Sequence, residues 1–217
     1  EFVAYRRLRS RGASRLASLI SAIGVSIFLM ESMRMFTESR PQTAPRLLDK
    51  WTFGEIAGAN FRIDTMLAIV APIIIFVILD QFVNRSRLGK AIRAVSMSEE
   101  NAKLMGIDIN RVISLTFLIG GLTTGAAAFL YTTVYENTVF NVGFNMGIAA
   151  FTAAVLGGIG NIRGAFYGGL ALGMLEHFSS AILGSQWKAV TVFVVLVLIL
   201  LFKPSGLFGE AVQQTRT

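Results

Sequence analysis

The chain has 217 residues, 53% of them hydrophobic and 15% charged, with no cysteine and a single histidine, His177. A mean hydropathy of +0.62 sets it apart from ordinary soluble domains, and the missing thiols exclude disulfides and thiolate metal sites. The net charge of +7 does not point to nucleic acid, because the basic residues flank apolar runs, as membrane topology requires.

The opening run "EFVAYRRLRSRGASR" begins without an initiator methionine and reads as an internal basic loop, so residues lost from the N-terminus are expected. Six membrane segments follow, at about 16–36, 64–83, 111–133, 143–160, 164–184 and 188–203. Most approach the ~20 residues needed to cross about 30 Å of hydrocarbon. The fourth, "VGFNMGIAAFTAAVLGGIG", is rich in small residues and is expected to be broken or re-entrant, with its backbone covered by protein.

Lysine and arginine fix the orientation. Loop 1–15 carries five: Arg6, Arg7, Arg9, Arg11 and Arg15. Loop 84–111 carries six: Arg85, Arg87, Lys90, Arg93, Lys103 and Arg111. With Arg163, Lys203 and Arg216 that side holds fourteen, against five on the other: Arg40, Arg46, Lys50, Arg62 and Lys188. Both chain ends are therefore expected in the cytoplasm. Residues 37–63, with Pro41, Pro45 and Trp51, form an external loop, and the whole of 1–217 reads as one membrane domain.

The segment "LGKAIRAVSMSEENAKLMGI" at 88–107 is the exception to this greasiness. Its wider loop holds nine formal charges, and burying them would cost upwards of roughly 20 kcal/mol. It is also bracketed as a helix. Ser98 suits an N-cap, Glu99 and Glu100 suit the first turn, and Lys103 suits the last. Gly106 stands where a left-handed residue closes a helix. Before it, Ala91, Ile92 and Val95 form an apolar stripe at helical spacing. Two short helices would thus carry Met97, Ala102, Leu104 and Met105 among charges. These residues can pack on the protein's own membrane ends or fill a groove on a partner, and the residues alone leave both readings open.

Other features are weaker signals. Gly160, Gly164, Gly168 and Gly173, with Gly121 and Gly125, give small-xxx-small spacing for close helix packing, within the chain or against a partner. "GGIGNIRG" lacks the Gly-Lys-Ser/Thr ending of a phosphate loop. Glu176 lies inside an apolar span, where a carboxyl is costly and faces protein or water, so a pathway or interface role stands beside a structural one. Adjacent helix positions diverge by about 100°, so Glu176 and His177 are not expected to act as a pair. Glu31 and Arg34 suit an interfacial ion pair, Asp80 reaches water near the inner end of its span, and Trp187 marks a boundary. No nucleophile triad or metal-ligand cluster can be composed.

Four stretches carry a family resemblance: "LISAIGVSIFL", "LGKAIRAVSMSEENAKLMGIDINRVISLTF", "GIAAFTAAVLGGIGNIRGAFYGGLALGMLE" and "LLFKPSGLFG". In that order they resemble permeases of bacterial ABC importers for branched-chain amino acids, specifically the first permease of the pair. The chain departs from the family pattern at Arg7 and Arg163, where proline is usual, and at Met30–Glu31, where a polar pair often stands. The resemblance implies an all-α polytopic protein of the bacterial inner membrane, surrounded by lipid, with further spans ahead of the opening loop. It implies three kinds of partner: a second permease subunit, two ATP-binding subunits, and a periplasmic amino-acid-binding protein. It implies no enzyme activity and no bound cofactor in this chain, ATP being used by the partner subunits. It also implies that loop 84–110 is the coupling loop, contacting the ATPase through Met97, Ser98, Glu99, Glu100, Ala102, Lys103, Leu104, Met105 and Gly106. A urea or short-amide permease of the same family is one alternative. An ion-coupled secondary transporter with broken helices is another.

Overall fold

The computed structural model describes residues 5–10, 15–45, 52–56, 59–203 and 205–209, with the backbone alone at 9, 10, 15, 16, 19, 52–56 and 59–62. Of the residues named in the charge and loop reading, Arg11, Arg46, Lys50, Trp51 and Arg216 lie outside the described residues, and Arg9, Arg15 and Arg62 are described by backbone alone. The protein is an all-α integral membrane protein. Its helices are α1 (Tyr5–Ser10), α2 (Arg15–Phe36), α3 (Ile63–Arg85), α4 (Arg87–Met97), α5 (Glu99–Leu104), α6 (Ile109–Tyr135), α7 (Val142–Gly157), α8 (Ile162–Leu183) and α9 (Lys188–Phe202). Each of the six predicted segments is a helix. By length and apolarity, α3, α6 and Ser185–Phe202 can each cross a membrane. The α7–α8 pair passes that test together, bent by 119° at its break. The fourth segment thus ends at Gly157 rather than Gly160, and residues 158–161 form the corner.

The chain folds as two compact units, Glu1–Phe140 and Asn141–Thr217. In the first, α3 packs on α6, and α4 packs across both. Among the described residues four short strands accompany these helices. β1 (Gln42–Thr43) follows α2, a hairpin of β2 (Thr52–Ile56) and β3 (Ala59–Arg62) leads into α3, and β4 (Asn137–Thr138) follows α6. β1 and β4 pair antiparallel and so tie two helix ends together. Ala44 N donates to Glu136 O at 2.7 Å, and the Thr43 hydroxyl donates to Asn137 Oδ1 at 3.0 Å. The segments that follow α2 and α6 therefore share one end of this unit, as the alternation of crossings demands. Glu31 and Arg34 make the expected ion pair at 3.2 Å.

The second unit is built on small residues. Ala153, Leu156, Leu172 and Val192 form its core, from α7, α8 and α9. A Cβ on Gly157 or Gly164 would fall inside the other's backbone, and one on Gly168 would stand 2.9 Å from Gly157 N. Such contact between backbones is how helices associate where lipid removes the hydrophobic drive. The corner has its own lock. Gly158 and Gly160 take φ of +105° and +95°, values that only glycine adopts without strain. The tail residues after α9 then satisfy the exposed end of α7: Leu207 N donates to Leu156 O at 2.7 Å and Phe208 N to Gly157 O at 3.1 Å. Asn161 closes the arrangement, accepting from Gly164 N at 3.1 Å as the α8 N-cap while its amide donates to Phe208 O at 3.1 Å. Asn161→Ala removes both bonds and is expected to cost about 1–2 kcal/mol, read as a lower melting temperature of the purified chain in detergent.

Candidate functional site

The charged loop folds as its local signals require. Ser86 caps α4 by accepting from Gly89 N at 2.9 Å. Ser98 ends α4 and starts α5, its hydroxyl accepting from Asn101 N at 3.3 Å. Glu99 and Glu100 occupy the first turn of α5 and Lys103 the last. At the other end Gly106 has φ +76°. Its N–H bonds Lys103 O at 2.9 Å while Ile107 N bonds Ala102 O at 3.0 Å, the paired bonds of a Schellman closure. Asp108 starts α6 immediately, accepting from Arg111 N at 3.2 Å. The result is a rigid elbow of two short helices between two long apolar ones.

Tertiary packing fixes how the elbow is held. Gly89 lies so close to α3 that a Cβ would stand 2.6 Å from Phe82 O. Nothing in the sequence marks this glycine except its place inside a helical run, which often signals close packing. Arg93 Nη1 donates to Asn84 Oδ1 at 2.8 Å, and Asn84 Nδ2 donates to Asp80 Oδ1 at 2.9 Å. Asp80, read from sequence as a solvated end residue, is thus the root of a chain pinning α4 to α3. Ala91, Ile92 and Val95 are half-buried, as a packed stripe should be.

The four apolar residues of the tip separate. Ala102 is 2% exposed and belongs to the protein's own packing. Met97, Leu104 and Met105 are 88%, 85% and 83% exposed. The chain's own packing therefore leaves these three large apolar side chains unused, and methionine is adaptable in contacts. Beside them a charged groove of about 610 Å³ is lined by Arg6, Glu99, Lys103, Ile107 and Asp108. Arg6 brings α1 to the same end as the elbow, and the Tyr5 ring lies 5.0 Å from that of Phe117.

The other predicted residues fall into different settings. Gly164 and Gly168 make close approaches within the chain, with Gly157 as the partner that the spacing did not single out. Gly160 meets nothing within 4 Å, and its place is the corner itself. Gly121, Gly125 and Gly173 also face open space. Glu176 is half-buried and lines a cavity of about 180 Å³ in the second unit, while His177 is exposed and lines a separate apolar hollow. The two neighbours therefore work apart. Among the described residues no group of three metal-ligating side chains occurs.

Residues 7–202 match the family model described as branched-chain amino acid transport system / permease component. The chain is 43% identical over 214 residues to the high-affinity branched-chain amino acid transport system permease protein BraD of Pseudomonas aeruginosa, covering 97% of this chain and 69% of that one. It is 42% identical over 213 residues to the corresponding permease protein LivH of Escherichia coli K12, covering 97% and 68%. A fructose import permease protein, FrcC of Rhizobium meliloti, is 23% identical over 171 residues, covering 75% and 48%. No solved structure matches the chain.

Proposed function

The chain belongs to the family of branched-chain amino acid transport system permease components, and from that premise we propose that it carries leucine, isoleucine and valine across the inner membrane as one subunit of an ABC importer. The greater identity to branched-chain amino acid permeases than to the fructose permease supports this substrate class most directly. The elbow supports the mechanism. It is rigid, because both helices are capped and α4 is pinned through Arg93 and Asn84. It is open at its tip, because Met97, Leu104 and Met105 find no cover. A rigid lever with a bare apolar tip suits force transmission from a separate motor.

In this reading residues 1–217 form one permease domain, with 84–110 in the cytoplasm and 37–63 outside. Fourteen basic residues against five support both ends lying inside the cell. ATP-binding subunits hold Ser98–Gly106, and their closure on ATP pulls α4 and, through it, α3 and α6. The chain itself supplies no ATPase chemistry. A second permease completes the pathway, and an external amino-acid-binding protein delivers the cargo. In proteoliposomes holding the full complex and the loaded binding protein, leucine uptake is expected only with hydrolysable ATP. Uptake that persists without ATP and follows a proton or sodium gradient overturns the proposal.

A further inference from the structure

The 180 Å³ cavity of the second unit places charged groups beside an apolar wall. Glu176 and Lys188 both line it, and so does Asn145. The rest of the wall is apolar, including Ile148, Val192 and Phe193. The three polar residues come from one end of the unit: Asn145 from the first turn of α7, Lys188 from the start of α9, and Glu176 about 10 Å from the C-terminal end of α8. An acid and a base thus face one space, yet among the described residues no ion pair joins them, and no hydrogen bond reaches the Glu176 carboxylate. A carboxylate in a membrane span costs about 2.5–3.5 kcal/mol without compensation, and such residues mark substrate paths.

We infer that this cavity is a subsite for the zwitterionic head and branched side chain of one amino acid. This rests on the transport reading and adds the residues that hold the cargo. Glu176 takes the substrate ammonium. Lys188 takes the carboxylate. Asn145 serves either group, and Ile148, Val192 and Phe193 face the side chain. At about 180 Å³ the cavity is larger than the roughly 150 Å³ that holds a benzene ring, and it is open on one side, so a ligand with more atoms than benzene fits by extending into the opening. The location fits too, because these helix ends adjoin the loops proposed to face outward, where cargo arrives.

The absence of native cysteine gives a direct assay. Ala189→Cys places one thiol on the cavity wall. In the assembled complex, its maleimide labelling on this chain is expected to slow with added leucine. 4-Methylpentanoate lacks the ammonium and 3-methylbutylamine lacks the carboxylate, so each should protect only at concentrations about tenfold or more higher, the factor for one lost charge-assisted hydrogen bond. Glu176→Gln in the same background should raise the protective leucine concentration by a similar factor. Equal protection by all three compounds, or none by leucine, overturns the subsite. If wild-type vesicles import leucine but the protection is absent, the transport reading stands and only the subsite falls. If wild-type vesicles import no leucine, both fall.

Discussion

A chain with Met97, Leu104 and Met105 all changed to serine is expected to fold and insert normally, yet to lose its ATP-binding partners. Two costs are separate here. All three side chains are more than four-fifths exposed, so truncating them removes almost no packing from the chain itself. Docking buries them, and each apolar side chain so buried contributes about 1.5–3 kcal/mol. Losing three removes at least about 4 kcal/mol, a factor of roughly a thousand in affinity. Co-purification of the ATPase subunits should fail and ATP-driven uptake should vanish, while the chain's melting temperature stays put. Ala102→Pro is the complementary change. It deletes the Ala102 N–H bond to Ser98 O, 3.1 Å long, inside a helix of six residues. It should break coupling by unfolding α5 rather than by stripping its surface. Retained uptake in the serine variant would show that the tip is not the contact.

The second large effect concerns the glycines. Gly164→Ala and Gly168→Ala are expected to destabilise the second unit by about 3 kcal/mol each, because the new methyl meets backbone, which cannot rotate away. Gly121→Ala and Gly125→Ala carry the same sequence signature, but a methyl there meets nothing within 4 Å. In the isolated chain they should be neutral or stabilising by about 0.5–1 kcal/mol, as helix-interior glycine is conformationally costly. Melting of the four purified variants in detergent checks the contrast. A Gly121→Ala chain that melts normally but fails to assemble with its partner permease would assign that face to the subunit interface. Equal loss of stability in all four variants would contradict the packing described above.

Local chemistry alone determined the elbow. Ser98 and Gly106 bond backbone groups a few residues away, and Glu99 and Lys103 stand in the first and last turns, so capping and left-handed closure could be written down from sequence and appear unchanged in three dimensions. The positions of the helices were equally legible, because long apolar runs between charged loops have few other solutions. The glycine ladder was legible as a pattern but not as a set of contacts. Gly121 and Gly164 share a spacing, and only the arrival of Gly157 from another helix distinguishes them.

Tertiary structure decided the rest. A helix that is apolar all round carries no stripe to say which face turns inward. The burial of Ala102 beside bare Leu104, the cavity shared by Glu176 and Lys188, and the docking of Leu207 and Phe208 on the α7 carbonyls all depend on how separate elements come together. The pairing of β1 with β4 bridges more than ninety residues. Such meetings depend on whether two backbones can approach closely enough to touch, which is a property of both partners together and is not encoded in either stretch alone.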